Sequence, residues 1–153
     1  MGAEETLREM GLALPEVVKP LASYVPWVRT GNLVFVSGQI CLAGGELKFK
    51  GKVGRELTLE QGAEAARLCC LNCLAAVKDA IGSLDRVKRV VKVVGFVNSA
   101  PGFNAQPKVV NGASDLLMKV FGEAGKHSRS AVGCSDLPLD TATEVEMIVE
   151  TAE

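Results

Sequence analysis

The chain has very few of the side chains on which many catalytic sites depend. Among its 153 residues there is one histidine, His127, with one tyrosine and one tryptophan. His127 and two isolated cysteines do not complete a zinc site around Cys70 and Cys73, and no serine, histidine and aspartate can be grouped into a triad. No glycine-rich turn lies between a strand and a helix in the order that phosphate binding requires. We therefore expect no metal ion and no cofactor.

Charge of one sign and long apolar runs are also missing. The 17 basic and 18 acidic residues leave a net charge of -1, whereas binding to a phosphate backbone needs clustered cationic charge. No apolar run approaches the ~18 residues of a membrane span, and the N-terminus lacks the basic and then apolar segments of a secretion signal. The sequence predicts a cytoplasmic protein without membrane or nucleic-acid partners.

The cysteines agree with that compartment. There are five, an odd number, and three of them (Cys69, Cys70 and Cys73) fall within one short stretch of a predicted helix. Helical neighbours of this kind are poor material for a disulfide framework, which favours a reducing environment. We expect them to be buried thiols, because free cysteine packs as a small hydrophobic residue.

What is present is the composition of one ordinary globular domain. Hydrophobic residues make up 48% of the chain and charged residues 23%, and no repeat or linker divides residues 1–153. Residues 4–12 can form a short amphipathic helix before Pro15 and Pro20 break the chain. Residues 1–20 are therefore interpreted as an N-terminal helical extension of a single domain.

The hydrophobic patterns predict the element order ββαβαββ. Gly31 and Asn32 join the first two strands as a hairpin, and Thr58 with Gln61 forms a capping box at the start of the first long helix. The glycine-rich segment 42–54 is expected to be an irregular loop with at most one short strand. The predicted strands are 25–30, 33–40, 87–98, 128–135 and 144–149, and the predicted helices are 58–82 and 107–121.

This order indicates an α+β fold with one mixed sheet. Each β-helix-β unit requires a crossover, which places both helices on one face of the sheet. The other face, which is rich in valine, is then left uncovered. Because a monomer should not expose such a face, we expect a homo-oligomer that packs sheet against sheet.

Arg129 is the first candidate functional residue. It lies near the start of a predicted strand, and alternation places Ala131 and Gly133 on the same face, which would leave open space in front of the guanidinium. A planar guanidinium fork is the preferred partner of a carboxylate. The alternative is an edge-strand arginine paired with a neighbouring acid.

Three further residues have both a functional and a structural interpretation. Glu144 could position or deprotonate water, or it could belong with Glu146 to a solvated strand face. Tyr24 could donate to a ligand or rest on the edge of the core. Asn111 could contact a ligand, or it could be a capping or turn residue near the start of the second long helix.

Three stretches together resemble the RidA/YjgF family, also called the endoribonuclease L-PSP family. They are residues 24–40 (YVPWVRTGNLVFVSGQI), residues 96–113 with FVNSAPGF and VVNGA, and residues 128–146 (SRSAVGCSDLPLDTATEVE). The resemblance extends over nearly the whole chain after about residue 12. The chain is also similar to a longer subgroup of the family that has an extra N-terminal helix.

The resemblance implies a chorismate-mutase-like fold, a homotrimer and ligand clefts between subunits. Members with the arginine resemble enamine/imine deaminases, which hydrolyse 2-aminoacrylate-type intermediates to 2-oxo acids and ammonia. Carried over to this chain, Arg129 would hold the substrate carboxylate and Glu144 would orient the attacking water. The residues implied to bind the substrate are Tyr24, Ser37, Gly38 and Asn111.

Two other functions remain open at the level of sequence. The same cleft could belong to a non-catalytic module that binds 2-oxo acids and regulates a partner. A ribonuclease agrees less well with a near-neutral chain that has one histidine. Many relatives carry a cysteine two residues after the arginine, where this chain has Ala131, so no thiol mechanism is expected there.

Overall fold

Seven strands and three α-helices make up the fold of the computed structural model, which describes residues 1–17 and 19–153. Short 3₁₀ turns connect several of these elements. The helices are α1 (Ala3–Glu9), α2 (Leu59–Ile81) and α3 (Gln106–Phe121), and the strands are β1 (Trp27–Thr30), β2 (Leu33–Ile40), β3 (Leu42–Ala43), β4 (Glu46–Leu47), β5 (Val87–Asn98), β6 (Ser128–Cys134) and β7 (Thr143–Thr151).

The main sheet is mixed and has five strands in the order β1-β2-β7-β5-β6. Only the β5–β6 pair is parallel, while the other neighbouring strands run antiparallel. The α+β class, the mixed sheet and the order of the long elements are confirmed. The segment 42–54 is more regular than predicted, because Gly44 and Gly45, both at positive φ, close β3 and β4 into a small hairpin.

Helix α2 begins and packs as its sequence predicts. The Thr58 hydroxyl accepts a hydrogen bond from the Gln61 amide at 3.1 Å, and the Thr58 amide donates to the Gln61 side chain at 2.9 Å. Its small residues let the helix approach its neighbours closely. At the contact with α3, Gly112 lies directly against the Ala63 carbonyl, with no room for even a β-carbon.

Both long helices cover the same face of the sheet. Helix α2 packs on β2 and β7, and α3 packs on β5 and β6. Four of the five cysteines are buried, three of them along α2, and the Cys73 thiol donates to the Val145 carbonyl on β7 at 3.2 Å. Burial raises the pKa of the Cys70 thiol to about 12, so these groups stay protonated and serve as packing residues.

No helix covers the opposite face of the sheet within the residues that the structure describes. Phe35, Val28 and Val132 are 41%, 54% and 43% exposed there. Val94 and Ile148 line a shallow pocket beside Phe35 on the same face. The exposed apolar side chains agree with the reasoning that led us to expect an oligomer, and the oligomer itself stays a prediction.

The N-terminal helix α1 is shorter than predicted and packs against α3 and the 3₁₀ turn that follows α2. The Glu4 carboxylate accepts a hydrogen bond from the Leu84 amide at 3.1 Å and pairs with Lys78 at 3.2 Å. These contacts lower the pKa of Glu4, the bond from Leu84 most of all. Across residues 1–17 and 19–153, the structure has no helix of the length and apolarity that a bilayer crossing requires.

Candidate functional site

Arg129 lies on the edge strand β6 and extends toward helix α3. Its register partner on β5 is Val93, which is fully buried on the helix-covered face. The Arg129 Nη1 donates to Asn111 Oδ1 at 2.7 Å and to Ser114 Oγ at 3.2 Å. Asn111 and Ser114 are three residues apart on α3 and therefore point in the same direction. Two neutral oxygens thus hold one end of the guanidinium.

No carboxylate neutralises Arg129 among the described residues. It takes part in none of the ion pairs there, and its Nε and Nη2 have no hydrogen-bond partner in that part of the chain. The structural alternative, an arginine paired with a neighbouring acid, is therefore not what the structure shows. The Nε–Nη2 edge is the side of the fork that can bind a carboxylate through two parallel hydrogen bonds.

Two details of this group differ from the sequence prediction. Open space was predicted in front of the guanidinium over Ala131 and Gly133, but at Gly133 the space is filled by Gln106 and Ser99, with Gln106 Nε2 only 2.7 Å from where a β-carbon would stand. Asn111 is neither a cap nor a turn residue, because α3 already begins at Gln106. Its side chain instead accepts the shorter of the two Arg129 hydrogen bonds.

A second group of predicted residues lines a pocket of about 250 Å³ at the other side of the sheet. Tyr24, Ser37, Gly38 and Glu144 all border it. The β2–β7 pairing is irregular between Val36 and Gln39, so Ser37 and Gly38 have no regular partner on β7, and Glu144 itself pairs with Ile40. A β-carbon on Gly38 would stand 3.0 Å from the Glu144 carboxyl carbon, so the missing side chain leaves room for that carboxylate.

The environment of Glu144 alters its acidity. Burial raises the pKa of the Glu144 carboxyl above its usual range, and the negative charge of Glu146 on the same strand face raises it further. Tyr24, at the pocket mouth, is 59% exposed, and Ser37 Oγ donates to the Val25 carbonyl at 2.5 Å. A carboxylate with a raised pKa is a better proton acceptor than an ordinary one.

The two groups face opposite sides of the sheet. Glu144 and Glu146 flank Val145, which is buried beneath α2, so both carboxylates extend to the uncovered face. Arg129 extends to the helix-covered face. The structure therefore brings four of the predicted residues together in one pocket and places Arg129 with Asn111, but it does not join the two groups within one chain.

Sequence reasoning missed two members of the Arg129 group, Ser114 and His127. His127 was considered in the sequence only as a zinc ligand or a triad member, and in the structure its Nε2 lies beside the Ser114 hydroxyl. The available signals were the spacing of Ser114 three residues after Asn111, and of His127 two residues before Arg129. Across residues 1–17 and 19–153, no three His, Cys, Asp or Glu side chains are placed to hold a metal ion together.

Comparison with known protein families identifies the family of this chain. The model of the family described as "YjgF/chorismate mutase-like, putative endoribonuclease" matches residues 4–151. The chain belongs to this family. The predicted RidA/YjgF resemblance is thereby confirmed, and the YjgF fold accounts for the mixed sheet with its helices on one face.

Relatives within the YjgF family carry different names. Protein TCP17 of Trypanosoma cruzi is 45% identical over 145 residues, which are 94% of this chain and 91% of the relative. A 2-iminobutanoate/2-iminopropanoate deaminase of Dermatophagoides farinae is 30% identical over 138 residues, 90% of this chain and 93% of the relative. Among solved structures, protein Atu1372 of Agrobacterium tumefaciens, described as of unknown function, is 43% identical with a TM-score of 0.92, and the match covers 98% of this chain and 92% of that one.

Proposed function

We propose that this YjgF-family chain hydrolyses small 2-imino and enamino acids of the 2-aminoacrylate type to 2-oxo acids and ammonia. The observation that carries the proposal is Arg129, a cation whose Nη1 is held by neutral groups and whose Nε–Nη2 edge has no partner among the described residues. Such a group is suited to bind the carboxylate that every 2-imino acid carries. The name of the Dermatophagoides relative supports the same chemistry.

Glu144 is the residue we assign to the water. An imine carbon is already electrophilic, so a water molecule held against an anchored substrate needs little further activation. The water oxygen bonds to the imine carbon as the C=N double bond opens, and Glu144 accepts a water proton and passes it to the nitrogen to give a carbinolamine. Glu144 then takes the carbinolamine hydroxyl proton as the carbonyl of the 2-oxo acid forms and the carbon–nitrogen bond breaks. This second proton goes to the departing nitrogen, which leaves as ammonia. Tyr24, Ser37 and Gly38 border the same pocket and would contact the reacting end of the substrate.

The proposed site lies between subunits of a homotrimer. Within one chain, Arg129 and Glu144 extend to opposite faces of the sheet, and a substrate of a few atoms cannot span that separation. A neighbouring chain packed on the uncovered face would bring its Arg129 and Asn111 to the Tyr24 and Glu144 pocket. The exposed Phe35 and Val132 would be buried by the same contact.

The first test is the decay of 2-aminoacrylate, generated by a serine or threonine dehydratase. Wild-type protein should accelerate release of the 2-oxo acid, and Arg129→Ala should lower kcat/KM by about 10- to 100-fold or more, because a charge-assisted contact is lost. Arg129→Lys keeps the charge without the fork and should fall between the two. Arg29→Ala, on the opposite edge strand β1, is the matched control.

The outcomes separate the alternatives. If wild type binds 2-oxobutyrate in calorimetry but does not speed imine decay, the cleft belongs to a binding module and the catalytic assignment is lost. RNA cleavage that disappears in Arg129→Ala and Glu144→Ala would favour the endoribonuclease in the family description. RNA cleavage that survives both substitutions would indicate another site or a contaminant.

A second test asks whether the site is shared between chains. Arg129→Ala and Glu144→Gln proteins, each of low activity alone, are mixed, dissociated and reassembled. A site built from two chains predicts partial recovery of activity, because some clefts then combine an intact Arg129 with an intact Glu144. No recovery, with mixed oligomers demonstrated by mass spectrometry, would place both residues in one chain's site and contradict the shared cleft.

A further inference from the structure

A chain of hydrogen bonds extends from Arg129 to the turn that follows α3. Ser114 Oγ, which accepts from Arg129 Nη1, lies 2.9 Å from His127 Nε2. His127 Nδ1 lies 2.6 Å from the Gly125 carbonyl oxygen. Gly125 is buried and lies so close to the Leu117 carbonyl that no side chain would fit there.

The chemistry of the four groups sets the direction of these bonds. The Gly125 carbonyl can only accept, so the ring proton of a neutral His127 belongs on Nδ1. Nε2 is then the acceptor, and the Ser114 hydroxyl donates to it. The lone pairs of Ser114 are left to accept from Arg129. Every donor in this chain of hydrogen bonds then meets an acceptor, from the Arg129 guanidinium through Ser114 and His127 to the Gly125 carbonyl.

This arrangement restricts the orientation of the guanidinium. Both hydrogens of Nη1 are engaged, one by Asn111 and one by Ser114. Rotation of the planar group would break both bonds, so the Nε–Nη2 edge is held in a single direction. A carboxylate that binds this edge would find the fork already oriented, which reduces the entropy lost on binding.

We propose that Ser114 and His127 are positioning residues that orient Arg129 for the carboxylate of its ligand. This inference rests on the proposed function, since it assigns the ligand of Arg129 to that same site. Neither residue touches the substrate. His127 orients the Ser114 hydroxyl, and Ser114 in turn orients Arg129. A Ser114–His127 nucleophilic pair is a different assignment, and the experiment separates the two.

The first measurement is the tautomer of His127 by two-bond nitrogen–proton NMR on labelled wild-type protein. Because the chain contains one histidine, the ring signals need no assignment by mutation. We expect the Nδ1–H form at a pH where the ring is neutral, and slowed rotation of the Arg129 Nη1 group. An Nε2–H ring would reverse the Ser114 bond and overturn the inference.

The second measurement is binding and turnover in variants. Ser114→Ala and His127→Phe should raise both the Kd for 2-oxobutyrate and the KM for 2-aminoacrylate by about 3- to 10-fold, the scale of one lost neutral hydrogen bond. We expect kcat to stay within about two-fold of the wild-type value. His127→Gln, which keeps an acceptor near the Nε2 position, should recover most of the affinity. Ser128→Ala is the matched control, because Ser128 bonds to the Val91 carbonyl instead.

Each other outcome has a distinct meaning. Unchanged Kd values in both Ser114→Ala and His127→Phe would overturn the positioning role while leaving Arg129 as the anchor. Loss of kcat in Ser114→Ala with an unchanged KM would make Ser114 a nucleophile and would also overturn it. If wild type neither binds 2-oxobutyrate nor speeds imine decay, the proposed function fails, and the assigned role toward that ligand fails with it.

Discussion

Glu144 shows how the position of one residue in a strand changes its chemistry. It alternates with buried Val145, so its carboxylate is half-buried beside Gly38 and shares a strand face with Glu146. Desolvation and that second negative charge raise the pKa of Glu144. The same two effects that make it a better proton acceptor also make its ionised form costly to the fold.

The proposed role of Glu144 predicts the pH dependence of activity. The ionised carboxylate is the active form, so kcat/KM should fall as the pH is lowered through the pKa of Glu144. Glu146→Gln removes a repelling charge, which lowers that pKa and moves the acidic limb of the profile to lower pH. The measurement is kcat/KM for 2-aminoacrylate across the acidic range in both proteins. A shift of the limb to higher pH would contradict this account of Glu144.

Replacing Glu144 should stabilise the folded protein while it lowers the activity. A group whose pKa is raised by folding stabilises the folded state when it is protonated, and this contribution is lost as the pH rises through the folded-state pKa. Glu144→Gln should therefore raise the Tm at pH 7 by up to roughly 3 °C, and the gain should vanish near pH 4. It should also lower kcat by about 100-fold or more. A Tm gain that persists at pH 4 would require another cause.

At the scale of elements, the position of α3 decides where Arg129 points. Asn111 and Ser114 reach the guanidinium because α3 lies close beside α2, and Gly112 makes that approach possible against the Ala63 carbonyl. By helix propensity alone, a glycine inside α3 is destabilising. Its packing role outweighs that effect.

Gly112→Ala tests this balance directly. Helix propensity alone would stabilise the protein by up to about 1 kcal/mol, but the added methyl group has no space against Ala63. We expect a net loss of roughly 1–3 kcal/mol of unfolding free energy, together with weaker binding of 2-oxobutyrate as α3 moves. Urea denaturation and calorimetry provide the two measurements. Asp115→Ala, exposed on the same helix, is the control, and an equally stable Gly112→Ala protein would show that the helices can separate at no cost.

Local patterns predicted the elements better than the contacts between them. The bounds of β2 and β5 and the capping box of α2 follow from alternation and spacing, which are properties of short segments. The β3–β4 hairpin was missed because two-residue strands contain no pattern to detect. The contacts of Ser114 and His127 with each other depend on how α3 lies across β6, and nothing in a local sequence pattern fixes that placement.

At the scale of the whole molecule, the sheet face without a covering helix is the main surface on which apolar side chains stay exposed. Phe35 and Val132 are partly exposed there, with Val94 and Ile148 beside a shallow pocket. The proposed trimer would cover this face and complete the clefts in the same step. Assembly and activity are therefore expected to be lost together.

Phe35→Lys should separate the oligomer into single chains. A buried ammonium group without a partner opposes association strongly, while on a free monomer the substituted side chain remains in water. Light scattering after gel filtration should give the mass of one chain instead of three, and imine hydrolysis should fall to background. Glu5→Lys, at an exposed position of helix α1, should stay trimeric and active. A monomeric wild type would end the trimer proposal.

The burial of the thiols also affects whether the proposed substrate can chemically modify the protein. Imines are electrophiles, and a thiolate is the protein group that such reagents alkylate most readily. Burial raises the pKa of Cys69, Cys70 and Cys73, and alanine stands at position 131 on the strand that carries Arg129. Under the proposed function, these three thiols stay protonated and out of reach of the reactive electrophile that the protein would bind.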